Sequence, residues 1–416
     1  MFFELLRDGK QALAELPAAD RFFRVLWLLG PIFLLIERTP ADVWLSLLAI
    51  AFVVRSIIIR DGSWLRMFWV RAGFAFLGVC VLSSAMSSDP AYSIGEAVAW
   101  FRFPLFAMAC AFWLGRDRRL LYVMLISITL GIIAMCCILA AEMYLVGRVG
   151  NRLTWPYGDF IPGSYLAKAG LPAVIIAVAI AVSLKSRVAI IAGLFALMAL
   201  AFVILTGERI NSIIMLCGGV LAGTLWRPVW SRYVVFVAVG LVAVVAAFQF
   251  MPELGERYVG KFMAQLPTGD HSPYYTAMMP GYMAFEQAPI LGIGTGNFRH
   301  MCPDIIGVSS NLECHPHPHN FYVQLLGETG IIGLIFGTIF ICSLIWTCFS
   351  AALRGRENIV VATAWVVPFA FFWPIASTAD FFGQWNNLFM WSAVALALAS
   401  SNMRAANLAS SQHQKS

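Results

Sequence analysis

Charge is what this sequence has least of. Asp, Glu, Lys and Arg make up only 12% of its 416 residues, against about 25% in an ordinary soluble domain. That leaves too little polar surface for a water-soluble globule, and the 60% of hydrophobic residues fits a chain whose solvent is lipid. No stripe of basic residues with interleaved aromatics is present, so the net charge of +6 speaks for membrane orientation and against nucleic acid as a partner. Internal repeats and low-complexity segments are also missing, and the end NLASSQHQKS is a polar tail. The opening MFFELLRDGKQALAELP mixes apolar and charged residues at helical spacing, which predicts an interfacial helix on the cytoplasmic surface and not a cleavable signal peptide.

What is present is a series of apolar runs. They predict an all-α polytopic membrane protein with about twelve spans, at 22–37, 42–59, 67–86, 97–114, 120–146, 169–184, 188–206, 210–226, 233–250, 329–350, 359–377 and 385–401. The fourth contains Arg102 and Pro104 and is the weakest of them. Basic residues then assign the sides. Arg55, Arg60 and Arg66, then Arg116, Arg118 and Arg119, Lys185 and Arg187, Arg227 and Arg232, Arg354 and Arg356, and Arg404 all fall in even-numbered connections. This places both termini in the cytoplasm and the odd connections in the periplasm. The chain divides into a bundle over 1–250, a large periplasmic loop over 251–328, and the last helices with a tail over 329–416.

A long loop in a compact protein tends to be functional. This one holds His271, His300, His315, His317 and His319, five of the six histidines, and two cysteines, Cys302 and Cys314. The other seven cysteines sit in apolar runs, where cysteine acts as a small hydrophobe. In an oxidising compartment Cys302 and Cys314 could pair; otherwise they are two free thiols. In the string ECHPHPHNFYVQLLGETGIIG three histidines alternate with prolines before a helical pattern starts. Three readings stand open. Alternate residues of an extended segment share a side, so the histidines could converge on zinc or copper. Asn320 is a good helix cap, and a helix N-terminus behind His319 disfavours imidazolium and leaves a neutral base. Or the histidines are hydrated side chains at the membrane surface. Upstream, GIGTG (292–296) has no Gly-Lys-Ser/Thr and no βαβ unit beside it, so it is read as a tight backbone bend, neither a P-loop nor a dinucleotide fingerprint.

His319-Asn320, nine residues, Gly330, two residues, Gly333 resembles the signature of the O-antigen ligase family, within the wider group of O-antigen ligases, O-antigen polymerases and bacterial protein O-oligosaccharyltransferases. PILGIGTGNF (289–298) looks like that family's Pro-Leu-Leu-Gly-Val-Gly stretch, and the helix layout is similar. In LTGERINSI, Arg209-x3-Ile213 matches the family's arginine. The resemblance implies that Arg209 holds a donor pyrophosphate through its guanidinium fork. The plainer reading is a pair with Glu208 or another acid, since an arginine at that depth costs a few kcal/mol unless paired or wet. The family's second arginine is missing: Tyr274 stands at its place, and Arg257, Lys261 or Arg299 could substitute. Arg152 and Lys168 are further candidate anion contacts, and His317 and Asn320 candidate substrate contacts. Asp380 could orient His319, bind a sugar hydroxyl, or be a plain surface acid.

The resemblance implies a bacterial inner-membrane glycosyltransferase acting in the periplasm. Its partners would be a glycan on undecaprenyl pyrophosphate as donor, a lipid A–core sugar hydroxyl as acceptor, and the surrounding membrane lipids. His319 would be general base and Arg209 would stabilise the leaving group, with no cofactor: neither ATP nor metal is implied. An O-antigen polymerase or a protein O-oligosaccharyltransferase is the nearest alternative. A secondary transporter is a more distant one, disfavoured by the missing repeats.

Overall fold

The computed structural model describes residues 2–149, 151–159, 161–222, 229–265, 272–307, 312–374 and 379–413, with side chains from Phe3 to Met403. His271, Arg227 and the Arg404 side chain, used in the sequence reading, lie outside the described residues. Every element described is helical; the one β-type contact is an isolated bridge between Val149 and Arg152.

Seven helices are long and apolar enough to cross a membrane: Arg38–Ile58, Phe68–Ala85, Pro90–Leu114, Arg118–Leu145, Arg187–Leu205, Trp230–Phe250 and Phe321–Arg354. The bent pair Pro162–Ala169 and Leu171–Ser183, at 56°, makes an eighth. The expected count of twelve is therefore not reached by length and composition. Arg209–Leu221 and Ile359–Phe371 are shorter apolar helices. The run 22–37 divides into Ala18–Leu28 and Gly30–Ile36. Both divisions have a local cause. Pro31 and Pro172 each lie in the first turn of the second helix, where a residue without an N–H is tolerated but a continuous helix is not. Gly30 and Gly170 stand at the bends because a Cβ would lie 2.3 Å from the Trp44 ring and 2.4 Å from the Leu166 carbonyl oxygen.

The amino-terminal helix Phe2–Ala14 packs along Arg118–Leu145, with Glu15 bonded to Arg119 at 2.7 Å. Arg102, which weakened the fourth span, is paired with Asp42 at 2.8 Å, and the helix there breaks at Phe101 between Pro90–Trp100 and Arg102–Ala109.

The segment expected as one open loop contains helices of its own, including Pro273–Gln287 and Phe298–Ile306. The following helix starts at Phe321 behind the Asn320 cap, as expected, and its first turns precede the apolar span drawn from 329. Gln324 and Glu328 lie in those turns, where polar residues would ordinarily face water. Both are buried in polar contacts instead: Gln324 donates to Asp380 at 2.7 Å and accepts from the Phe381 amide at 2.8 Å, and Glu328 accepts from the Gly296 amide at 2.8 Å.

The same helix is broken at Gly330, whose backbone is left-handed (φ 65°, ψ −170°). Segment 289–294 lies against the break. The amides of Ile293 and Gly294 donate to the carbonyls of Gly327 (3.1 Å) and Glu328 (2.9 Å), and the Ile331 amide donates to Pro289 (2.9 Å). The glycine stretch is thus a bend, as its composition implied: Gly292, Gly294 and Gly296 all have positive φ. Below the break, Phe76, Phe340, Trp100, Phe381 and Trp391 form an aromatic core with ring centroids 5.1–6.2 Å apart.

A side chain at Gly292 would put Cβ 2.3 Å from the Glu328 carbonyl carbon in a left-handed backbone. Gly292→Ala is expected to cost about 1–3 kcal/mol or more, read as a lower unfolding temperature in detergent. Gly78→Ala, with nothing within 4 Å of its Cβ, leaves that temperature unchanged or slightly raised.

Candidate active site

Two groups of polar side chains gather within the bundle. The first surrounds the histidines. Asn320 caps the helix Phe321–Arg354: its side-chain oxygen accepts from the amides of Tyr322 (2.9 Å) and Val323 (3.2 Å), and its amide donates to the Pro374 carbonyl (2.9 Å). His319, immediately before the cap, has a left-handed backbone (φ 54°). That turn directs it away from the helix and against its neighbours. The His317 and His319 rings are 4.4 Å apart and those of His315 and His319 5.0 Å, in tilted and edge-on contacts. Among the described residues no group of three His, Cys, Asp or Glu side chains has an arrangement that could hold a metal.

The histidine strip is anchored on both sides. Pro318 packs so closely on Gly281 that a Cβ there would lie 2.8 Å away. Cys314, just before His315, is disulfide-bonded to Cys302 of helix Phe298–Ile306, which settles the alternative of two free thiols. Seven cysteines remain free. The next residues open onto a cavity of about 1180 Å³ that includes Pro316 and His317 in its wall. Arg299 and Asp380 lie in the same wall, 2.6 Å apart, and Asp380 also accepts from Gln324 and from the Phe382 amide at 2.9 Å. Asp380 is therefore part of a connected network and not a plain surface acid.

The second group lies around Arg209, the first residue of helix Arg209–Leu221. Arg209 donates to Gln265, and its other terminal nitrogen, Nη1, is buried with no hydrogen-bond partner among the described residues. The expected pair with Glu208 does not form. Glu208 turns the other way, accepting from the Gly163 amide at 2.7 Å and from Asn211. Arg257 donates to the Gly207 carbonyl at 2.6 Å, and Arg152 lies against the same glycine. Burial lowers the Arg257 pKa, and the facing Arg152 and Arg209 lower it further; burial and Arg209 likewise lower that of Arg152. Guanidinium groups stay protonated in proteins. Three such groups thus lie within electrostatic reach of one another in partial burial. Burial raises the carboxyl pKa of Glu208, whose charge acts on Arg152 without a direct pair to Arg209.

Of the candidates for a second cation, Arg257 lies with Arg209, whereas Arg299 lies on the histidine side with Asp380. Lys261 forms no ion pair among the described residues. Lys168 stands between the two groups: its ammonium contacts Ser164 (3.3 Å) and Asn386, and Asn386 is in the wall of the histidine cavity. Ser164 in turn accepts from Asn211 at 3.1 Å, which contacts Glu208. Sequence reasoning missed Gln265, Asn211, Gln324 and Asn386. The signal for the last three was a polar residue inside an otherwise apolar run.

Residues 172–338 match the family model described as O-antigen ligase. The chain carries an O-antigen ligase family domain. The match takes in Arg209, Arg257, Lys261, Arg299, His317, His319 and Asn320, and leaves Arg152, Lys168 and Asp380 outside it. The matched domain points to glycosyl transfer of the ligase/polymerase type. No curated protein matches the chain significantly. A chain from a solved structure of a peptidoglycan synthase complex is similar in fold at a TM-score of 0.47 and 14% identity, over 81% of this chain and 96% of that one, a likeness too distant to carry function.

The disulfide has a direct check. Alkylation of the denatured protein is expected to modify seven of its nine cysteines without reductant and all nine after reduction, counted by intact mass. Nine without reductant would show that Cys302 and Cys314 are not bridged.

Proposed function

We propose that this protein transfers O-antigen polysaccharide from undecaprenyl pyrophosphate to a sugar hydroxyl of lipid A–core at the periplasmic face of the inner membrane. The observation that supports this reading is His319, just before a capped helix and in ring contact with the cavity-lining His317, together with a separate group of three arginines. The Cys302–Cys314 disulfide supports the placement of that cavity in an oxidising compartment.

The chemistry is a single displacement. The acceptor oxygen forms a bond to the donor's anomeric carbon while His319 takes the hydroxyl proton. The bond between that carbon and the pyrophosphate oxygen breaks, and the pyrophosphate leaves with the electron pair. Attack from the face opposite the leaving group inverts the anomeric configuration. Arg209, with Arg257 and Arg152, stabilises the charge that grows on the leaving group. Arg209 is well suited because its unpaired Nη1 can bond a phosphate oxygen without first breaking a protein contact. The pyrophosphate linkage is already activated, and the arginines take the place that a divalent cation has in other phosphate sites. Both substrates are lipids, so they enter sideways between helices.

His319→Ala and Arg209→Ala are each expected to lower transfer from a lipid-linked glycan to rough lipopolysaccharide at least 100-fold, with unchanged elution on size exclusion. Full activity of purified His319→Ala protein would exclude it as the base. The polymerase alternative is separated in cells: loss of a ligase leaves bare core on a lipopolysaccharide gel, whereas loss of a polymerase leaves core carrying one repeat.

A further inference from the structure

The two polar groups differ in their charge balance. Around Arg209 three guanidiniums act on one another, with one carboxylate, Glu208, close enough to act on Arg152 and Arg257. The histidine cavity has the opposite character. Its wall carries three arginines, Arg38, Arg102 and Arg299, and four acids, Asp42, Glu96, Asp159 and Asp380. Two of the arginines are already committed, Arg102 to Asp42 at 2.8 Å and Arg299 to Asp380 at 2.6 Å. Glu96 and Asp159 take part in no ion pair among the described residues. An anion entering this cavity would meet two guanidiniums already paired, one, Arg38, without an ion pair among the described residues, and two carboxylates without one, so the balance of uncompensated charge there is negative and disfavours it.

Hydroxyl groups meet a different environment. Each free carboxylate accepts hydrogen bonds and donates none, so it selects for donors such as sugar hydroxyls. Trp385 adds an apolar face in the same wall. Its indole lies near the Asp159 carboxylate, which accepts from the Ile161 amide at 3.1 Å, and its ring packs on Phe389 and Tyr157 with centroids 4.4 and 5.1 Å apart. The ring contacts hold the indole as a plate beside a carboxylate. The C–H face of a pyranose fits the plate while its hydroxyls reach the acid. The cavity volume of about 1180 Å³ accommodates several sugar rings, and His317 at its edge touches His319.

We infer that the histidine cavity is the acceptor site, and that it selects an uncharged sugar next to the attacking hydroxyl, excluding one that carries phosphate there. This rests on the transfer reaction proposed above and adds to it the class of acceptor. Asp159 and Trp385 set acceptor affinity and take no part in donor binding.

Initial rates of the full-length protein in nanodiscs test this, with acceptor varied at saturating donor and the reverse. Asp159→Asn and Trp385→Ala are each expected to raise the acceptor KM tenfold or more, with the donor KM within twofold; the unfolding temperature stays unchanged in Asp159→Asn and falls in Trp385→Ala, which loses its packing on Phe389 and Tyr157. An uncharged core oligosaccharide should compete with the acceptor at least tenfold better than the same oligosaccharide phosphorylated on its terminal ring. A rise in donor KM, or no change in either KM, overturns the assignment of the cavity. Equal or better competition by the phosphorylated compound overturns its selectivity. Equilibrium binding of the radiolabelled uncharged oligosaccharide to wild-type and Trp385→Ala protein is read separately from transfer. Binding lost in the variant with no transfer by either protein would remove the proposed reaction and leave the site standing. Binding that Trp385→Ala does not weaken, or no binding to wild type, removes the site.

Discussion

The arrangement turns on one constraint, the pairing of backbone groups where the long helix breaks at Gly330. A break inside a bundle frees amides and carbonyls that water cannot reach, and each must find a partner. Segment 289–294 provides them by lying against the break with its glycines in left-handed turns. The fit leaves no room for side chains: a Cβ at Gly330 would meet the Ile290 carbonyl oxygen at 2.3 Å, and one at Gly333 the Thr329 hydroxyl at 1.9 Å. This gives the spacing of the motif a physical meaning. The nine residues between Asn320 and Gly330 are the helical piece between a cap and a break, about 13 Å long. Its lower end is clamped, so the height of His319 at its upper end is set.

Around that piece the protein separates two electrostatic environments. The arginine group keeps an excess of positive charge and a buried donor without a protein partner, which suits an anion that arrives and leaves. The histidine cavity balances its cations internally and presents spare carboxylates. Lys168 joins the two through Asn386 on one side and Ser164 with Asn211 on the other. A transfer reaction needs this separation: a leaving group wants concentrated positive charge, whereas an attacking hydroxyl wants an environment that does not protonate its base.

Much of this was legible beforehand. Among the described residues the apolar runs fall largely on helix, because hydropathy reports the solvent directly, although seven or eight spans and not twelve are long and apolar enough to cross a membrane. The cap at Asn320 was visible because a short polar side chain before an apolar helical pattern has one strong local use. The bend at Gly292–Gly296 followed from three alternate glycines. The errors also have reasons. The apolar span was drawn from 329, and only the partners Asp380, Phe381 and Gly296, distant in the chain, make Gln324 and Glu328 in the preceding turns interior residues. The runs at 22–37 and 169–184 were taken as continuous, although Gly30-Pro31 and Gly170-Leu171-Pro172, which divide them, were in view.

By itself, then, the sequence determined a helical membrane protein, the helix start behind His319, and a motif tying His319 to Gly330 and Gly333. These are properties of residues close in the chain, governed by local hydrogen bonding and by transfer of side chains to lipid. Only the tertiary structure decided which arginine accompanies Arg209, that Asp380 belongs to Arg299 and Gln324, that Cys302 bonds Cys314, and that the histidine cavity carries paired cations. Each of those depends on side chains 12 to 81 residues apart meeting in a partly dehydrated space, which leaves no trace in spacing.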